Sequence, residues 1–318
     1  MNYYPVVIPT LCRYEHFKRC VESLKKNTHA DKTELIIGLD FPAKDGHKDG
    51  YNKICNYISS ITGFKKITVF KRCKNYGASL NSIELANYAF SKYNAYIYTE
   101  DDNEFSPCFL DFMNKSLERY ENEEKIISVC GYTAKDYETN ETKEILFTHD
   151  NCAWGLGLWK NKAKHSYNDI AFYQNTWNSM SSFWSLFFKA PVVANIFANM
   201  MLKNDSLGDI MHSVRNIKNN TFQVRPSKSL VRNWGYDGSG LHCPNNDDSM
   251  CKQEISTEFH YQNDFNTKIE NSLPFSTEFF FLLPKNRLKA FYKIVRIGLS
   301  CLKIRVIYKY NKYLLTHK

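Results

Sequence analysis

The chain has 318 residues, 43% hydrophobic and 24% charged, an ordinary globular composition that argues against a disordered protein and allows one large α/β domain or two closely packed halves. Its ten cysteines are scattered without a Cys-x-x-Cys pair, a pattern of reduced, buried thiols rather than of a zinc or redox site. The net charge of +9 is local: residues 285–318 hold ten Lys or Arg and no Asp or Glu, leaving the first 284 residues near −1, which excludes a nucleic-acid-binding body and points to an anionic partner for the tail.

In chain order, Tyr4–Pro9 is a short apolar strand with no basic or long apolar leader before it, so no secretory signal is expected. Tyr14–Lys26 follows with Phe17, Val21 and Leu24 at helical spacing. Glu34–Leu39 reads as a second strand ending at Asp40, Tyr51–Ile61 as a helix, and Lys66–Phe70 as a third strand. Leu80–Tyr93 reads as a helix, and Ala95–Tyr98 as a fourth strand ending in Thr99-Glu100-Asp101-Asp102. This alternation predicts βαβ units and a mostly parallel sheet flanked by helices, with ligands at the carboxyl ends of the strands. Ser106–Tyr120 is expected to be the next helix and Ile126–Val129 a fifth strand. Thr148–Trp159, rich in Gly and Trp, reads as a loop, and so does Asn233–Asn246. Phe183–Leu202 is apolar but broken by Lys189 and Pro191, the pattern of a buried or interfacial helix rather than a membrane span.

The polar residues expected at strand ends are Pro9, Thr10, Arg13, Asp40, Asn75 and the acidic run Glu100, Asp101 and Asp102. Carboxylates in that position hold hard divalent cations, which take only one or two of them and complete their shell with water and phosphate. The same run could also be a solvated turn ahead of a helix. Pro9-Thr10 and Asn75-x-Gly77 have ordinary turn readings, which do not account for Arg13. Asn75, Gly77 and Asn81 could line the same cleft.

Pro9-Thr10 with Arg13, Asp40 after a second strand and Glu-Asp-Asp after a fourth resemble a glycosyltransferase of the GT-A type, a Rossmann-like α/β fold. Trp154-Gly155-Leu156-Gly157-Leu158-Trp159 is similar to the Gly-Leu-Gly-Trp segment of the N-acetylglucosaminyltransferase I-like group. Asn233-Trp234-Gly235-Tyr236-Asp237-Gly238-Ser239-Gly240-Leu241-His242 resembles a segment of bacterial capsule and O-antigen transferases. The resemblance implies Mn²⁺ or Mg²⁺ on Asp102. His242 could be a second metal or diphosphate contact, since imidazole can ligate Mn²⁺, or a loop histidine bonded to its own backbone. Asp101 and Glu100 would lie by the ribose and sugar, and Pro9, Thr10, Arg13, Asp40 and Asn75 around the nucleotide. It implies a sugar or acceptor pocket from Trp154, Gly155, Gly157, Trp159 and Asp237, though the tryptophans could instead be core. Asp209 falls where such enzymes carry an acidic residue near the acceptor, although Gly208 precedes it where relatives often have Trp. A carboxylate there could take the acceptor proton as general base, or cap a helix.

In the tail, Leu288, Phe291, Tyr292, Val295, Leu299, Leu302 and Val306 recur at helical spacing, with Lys289, Lys293, Arg296 and Lys303 on other faces. A basic amphipathic helix of this kind binds an anionic membrane surface or packs on the body. The expected organisation is a nucleotide-sugar-binding half at 1–110, an acceptor-binding half at 111–255 and a helical, membrane-associating tail at 256–318. The expected activity is inverting transfer from a nucleotide-sugar, a UDP-sugar, to a glycan or lipid-linked acceptor in surface polysaccharide synthesis, at the cytoplasmic face of the membrane. Two other readings are a sugar-1-phosphate nucleotidyltransferase, which should open with a Gly-rich phosphate loop unlike Ile8-Pro9-Thr10-Leu11, and a non-catalytic scaffold on the same fold.

Overall fold

A computed structural model describes residues 2–135, 145–163, 169–205, 207–239, 251–259, 268–270, 272 and 287–316. The chain divides into two compact units. The first comprises Met1–Leu146, Cys152–Ala163 and Val224–Lys268, and the second Phe147–Asn151, Lys164–Gln223 and Ile269–Lys318. These units do not follow the boundaries expected at residues 110 and 255: residues well beyond 110 share the unit of the first strands.

The first unit opens with β1 (Val6–Thr10), α1 (Tyr14–Lys25), β2 (Glu34–Leu39), α2 (Lys48–Ile58), β3 (Lys66–Lys71), α3 (Gly77–Lys92) and β4 (Ala95–Tyr98). β1 pairs in parallel with β2, Val6 opposite Leu35, and with β4, Val6 opposite Ile97; β2 pairs in parallel with β3. Val6, Val7 and Ile8 and their neighbours Leu35, Ile36 and Ile37 are fully enclosed, which is why these strands read as apolar runs rather than alternating ones. β3 is the sheet's edge and carries Lys66 and Lys71 at its two ends, charges that discourage further pairing. Gly38 in β2 lets α3 press close, since a methyl group there would stand 2.5 Å from the Leu85 side chain.

β5 (Asn103–Phe105), α4 (Phe109–Arg119), β6 (Ile126–Cys130), β7 (Ile145–Thr148), β8 (Leu156–Trp159) and the short α5 (Lys160–Ala163) follow, with β9 (Phe222–Pro226) and β10 (Val231–Asn233) later. The eight-stranded sheet has the order β3-β2-β1-β4-β8-β6-β9-β7, and β10 pairs antiparallel with β5 in a separate ribbon. The segment expected to be a loop at Thr148–Trp159 instead ends in β8, a central strand running antiparallel between β4 and β6. Its glycines misled the reading: Gly157 leaves room for Leu117 and Met113 of α4 to pack against the strand.

The second unit holds α6 (Ile170–Asn178), α7 (Met180–Lys189), α8 (Pro191–Lys203), α9 (Gly208–Asn219) and α10 (Arg287–Thr316). The apolar stretch at 183–202 is two helices, divided at Ala190, with Pro191 opening α8 where its missing N–H costs no hydrogen bond. Among the described residues no helix is long and apolar enough to cross a membrane. The core of this unit joins Trp177, Phe183, Phe187, Ala194, Phe197 and Val214 to Cys301 and Ile304 of α10. Arg305 of α10 is buried there, donating to the carbonyls of Trp177 and Asn178 at the end of α6 and lying 4.7 Å from the Trp177 ring centroid.

Candidate active site

The carboxyl ends of β1, β2 and β4 bring Thr10, Asp40 and Glu100–Asp102 to one edge of the sheet, where the strand order reverses at β1. In open α/β sheets this crevice receives the ligand. Asp101 and Asp102 are both buried, and one cation serves them both. Arg13 stands at the N-cap of α1 without capping it, and its guanidinium pairs with Asp101 through Nη2 and with Asp102 Oδ2 through Nη1 at 2.8 Å. Thr10 Oγ1 donates to Asp101 Oδ2 at 2.8 Å. Burial pushes the Asp101 carboxyl up, and Arg13 and Thr10 only partly oppose it. Burial also works against the Arg13 cation, but Asp101 and then Asp102 outweigh it and hold the guanidinium protonated.

Asp102 is fixed from its other side by the segment after β10. Asn233 Nδ2 donates to its Oδ1 at 2.8 Å, the Trp234 N–H donates to its backbone carbonyl at 2.8 Å, and a methyl group on Gly235 would stand 2.2 Å from its Oδ2. Asn233 was not singled out as a site residue in the sequence, although it opens the Asn-x-Gly-x-Asp segment. Its role follows from the β5–β10 pairing, which sets Asn233 opposite Asn103. Arg72, at the end of β3, was also missed. It lies 4.8 Å from the Tyr76 ring centroid, donates from Nε to Asn81, and keeps Nη2 buried without a partner among the described residues.

Other expected site residues have structural duties. Asp40 accepts the N–H groups of Phe41, Tyr76 and Gly77 at 2.8–2.9 Å and Asn75 Nδ2 at 3.3 Å, so four donors fill its two oxygens and it anchors the start of α3. Asn75 also donates to the Phe41 carbonyl at 2.6 Å. Asn81 is buried and ties α3 to β2 through the Gly38 carbonyl, so it does not line a cleft. Pro9 pairs across the sheet with Gly38 inside β1.

Trp154 is half-buried, donates from Nε1 to Glu100 Oε2 at 3.2 Å, and packs edge-on to Tyr132 and Tyr236. Trp159 is different: it is fully enclosed in β8 and donates to the Leu117 carbonyl at 2.9 Å. Its ring belongs to the core and has no open face for a sugar, which corrects the sequence expectation. Gly155 and Gly157 serve packing too. Gly155 has φ +70°, and a methyl group on it would meet the Phe109 ring at 2.7 Å.

Asp237 accepts the Ser239 hydroxyl at 2.6 Å and backbone N–H at 2.9 Å, and lies 2.9 Å from His16 Nε2. Burial opposes its ionisation, yet these Ser239 and His16 contacts bring its pKa down to about 2. His242 lies outside the described residues. Asp209 belongs to the second unit, in the first turn of α9, whose N-cap is Leu207 rather than Asp209. Its Oδ1 accepts Asn151 Nδ2 at 2.9 Å, and Asn151 in turn accepts Gln223 Nε2 at 3.0 Å.

The donor set at β4 fits a hard divalent ion. Its oxygens are carboxylate, and the two aspartates exceed the Arg13 charge by one. Among the described residues no three His, Cys, Asp or Glu side chains form a ready-made cage, so phosphate and water would complete the shell.

A comparison with known families matches residues 6–191 to Glycosyl transferase family 2. No curated protein matches the chain. Similar solved structures include the mannosyltransferase PcManGT from Pyrobaculum calidifontis in complex with GDP-Man and Mn²⁺, with 10% identity over 68% of this chain and 69% of that one and a TM-score of 0.39. Another is residues 1–349 of TarS from S. aureus, with 12% identity over 69% of this chain and 72% of that one and a TM-score of 0.38.

Proposed function

The chain belongs to glycosyl transferase family 2, and from that premise we propose an inverting, metal-dependent transfer of a sugar from a UDP-sugar to a glycan or lipid-linked acceptor in surface polysaccharide synthesis. The observation that carries this reading is the buried Asp101–Asp102 pair at the end of β4, bridged by Arg13. A nucleotide diphosphate brings the opposite need: negative charge that seeks a cation.

In the proposed reaction the acceptor oxygen attacks the anomeric carbon while that carbon's bond to the diphosphate breaks. The hydroxyl proton passes to a carboxylate, which the family resemblance assigns to Asp209. Arg13 offsets part of the charge of the two aspartates, and Thr10 and Asn233 hold them in orientation. A Mg²⁺ or Mn²⁺ ion on Asp102, with His242 as the proposed second contact, would supply the remaining neutralisation. Trp154, steadied by Glu100, is the ring assigned to the sugar, and the family resemblance assigns Asp237 to the same pocket. Asp40 and Asn75 support the nucleotide side indirectly, by shaping the turn into α3. The protein is placed at the inner face of the membrane as a peripheral enzyme.

The direct test is calorimetric titration of UDP and GDP with and without Mn²⁺. Wild type should bind one of them in a Mn²⁺-dependent manner, and Asp102→Asn should weaken that binding by more than about a hundredfold. Equal affinity of the two proteins in Mn²⁺ would refute the metal assignment. A chain that binds nucleotide but hydrolyses no donor would favour the scaffold reading.

A further inference from the structure

The last helix has two apolar stripes, and only one of them is used inside the protein. Ile294, Ile297, Cys301 and Ile304 pack into the core of the second unit, and Ala290 is buried. The second stripe runs through Phe291, Tyr292, Val295, Leu299, Leu302 and Val306, all exposed; Leu299 and Val306 are 62% and 67% exposed. At 3.6 residues per turn the two stripes lie roughly 140° apart. Packing on the body and an outward apolar face are therefore not alternatives: the helix does both.

Charge identifies what suits the outer stripe. Arg296 and Lys303 flank it on one side and Lys309 on the other, all exposed, and residues 285–318 contain no Asp or Glu. A shallow groove lined by Leu288, Lys289, Tyr292, Lys293 and Arg296 opens on the same helix. Exposed Leu, Val and Phe between cations match a surface that is apolar beneath and anionic at its face. Among the described residues no helix can cross a membrane, so this one lies along the surface rather than through it. At about 1.5 Å per residue the helix offers roughly 45 Å of such contact.

We propose that the outer face of α10, centred on Leu299 and flanked by Arg296 and Lys303, seats the protein on an anionic phospholipid bilayer. The core-facing stripe holds the helix to the body, so the bilayer contact is rigidly connected to the second unit. This deepens the peripheral-enzyme reading above. It is tested without donor or acceptor, so its failure leaves sugar transfer standing.

The experiment is sedimentation of the full chain with vesicles of phosphatidylglycerol and phosphatidylcholine in equal parts, and with phosphatidylcholine alone. Wild type should bind the mixed vesicles at least about tenfold more tightly, with the preference shrinking as salt rises. Two double variants separate the components: Leu299→Glu with Val306→Glu, and Arg296→Glu with Lys303→Glu. Each should lose at least about tenfold in binding, and because all four side chains are exposed, far-UV circular dichroism should match wild type. The proposal falls if both variants bind like wild type, or if wild type does not distinguish the two vesicles. It also falls if Leu299→Glu with Val306→Glu turns a dimer into a monomer in light scattering while vesicle binding is unchanged, since a second copy would then be the occupant.

Discussion

At Asp209 a single oxygen-to-nitrogen exchange separates chemistry from architecture. Its Oδ1 accepts from Asn151, and an asparagine can still present that oxygen. Asp209→Asn should therefore fold and melt like wild type. If Asp209 takes the acceptor proton, transfer should fall by roughly two to four orders of magnitude while nucleotide affinity holds. Near-normal transfer by the folded variant would remove Asp209 from the proton transfer and leave it a structural part bonded to Asn151. Asp237 is a weaker candidate for that proton than its exposure suggests. A carboxyl brought down to about 2 by Ser239 and His16 is a poor base near neutral pH. The Arg13 bridge is the residue-scale feature with the greatest leverage, because a single side chain from the start of α1 pairs with two adjacent buried carboxylates at the end of β4.

At the scale of elements, α9 carries an acid-sensitive group. His212 is buried on this helix, and burial followed by the nearby Arg215 charge lowers its pKa from 6.5 to about 4. The unfolded chain takes up the proton at higher pH than the folded one. The stability that the neutral imidazole contributes is thus full above about 6.5 and erodes as pH falls towards 4. The whole effect is on the order of 3 kcal/mol. Urea denaturation at pH 7.5 and 4.5 should show wild type losing about 2–3 kcal/mol more than His212→Gln across that interval; equal losses would acquit His212. The elements themselves were legible in the sequence to different degrees. β1, β2, β4 and α1 announced themselves because enclosed parallel strands are continuous apolar runs and α1 buries Phe17, Val21 and Leu24 at helical spacing. β8 did not, because Gly157, and Gly155 just before the strand, make room for side chains of α4, which a local pattern does not contain. The acidic run was legible as a strand end, but Asn233 lies far along the chain from its partner Asp102, and no local spacing links them.

At the scale of the whole molecule, the positive charge and the second unit's core share one element. Removing the chain from Arg287 onward takes Cys301, Ile304 and Arg305 away from Trp177, Phe187 and Phe197. Such a truncation should expose that cluster and leave the last carbonyls of α6 without their donor. The expected outcome is strong binding of a hydrophobic dye and rapid proteolysis between residues 170 and 219. A truncated protein with wild-type protease resistance there would show that α10 is dispensable to the second unit. Loss of vesicle binding by truncation alone is therefore an ambiguous result, and the exposed-face variants are the cleaner probe.

The threading of the chain between its two units also sets an order of events during synthesis. The polypeptide leaves the first unit after Leu146, returns at Cys152, leaves again after Ala163 and returns at Val224. Neither unit is finished when its first helices emerge. At roughly 5–20 residues per second the ribosome reaches Arg287 several seconds after Lys203. For that interval α6, α7 and α8 have been made and the helix that completes their core has not. During that interval the nascent chain exposes the apolar faces of those helices, the kind of surface that chaperones and proteases engage.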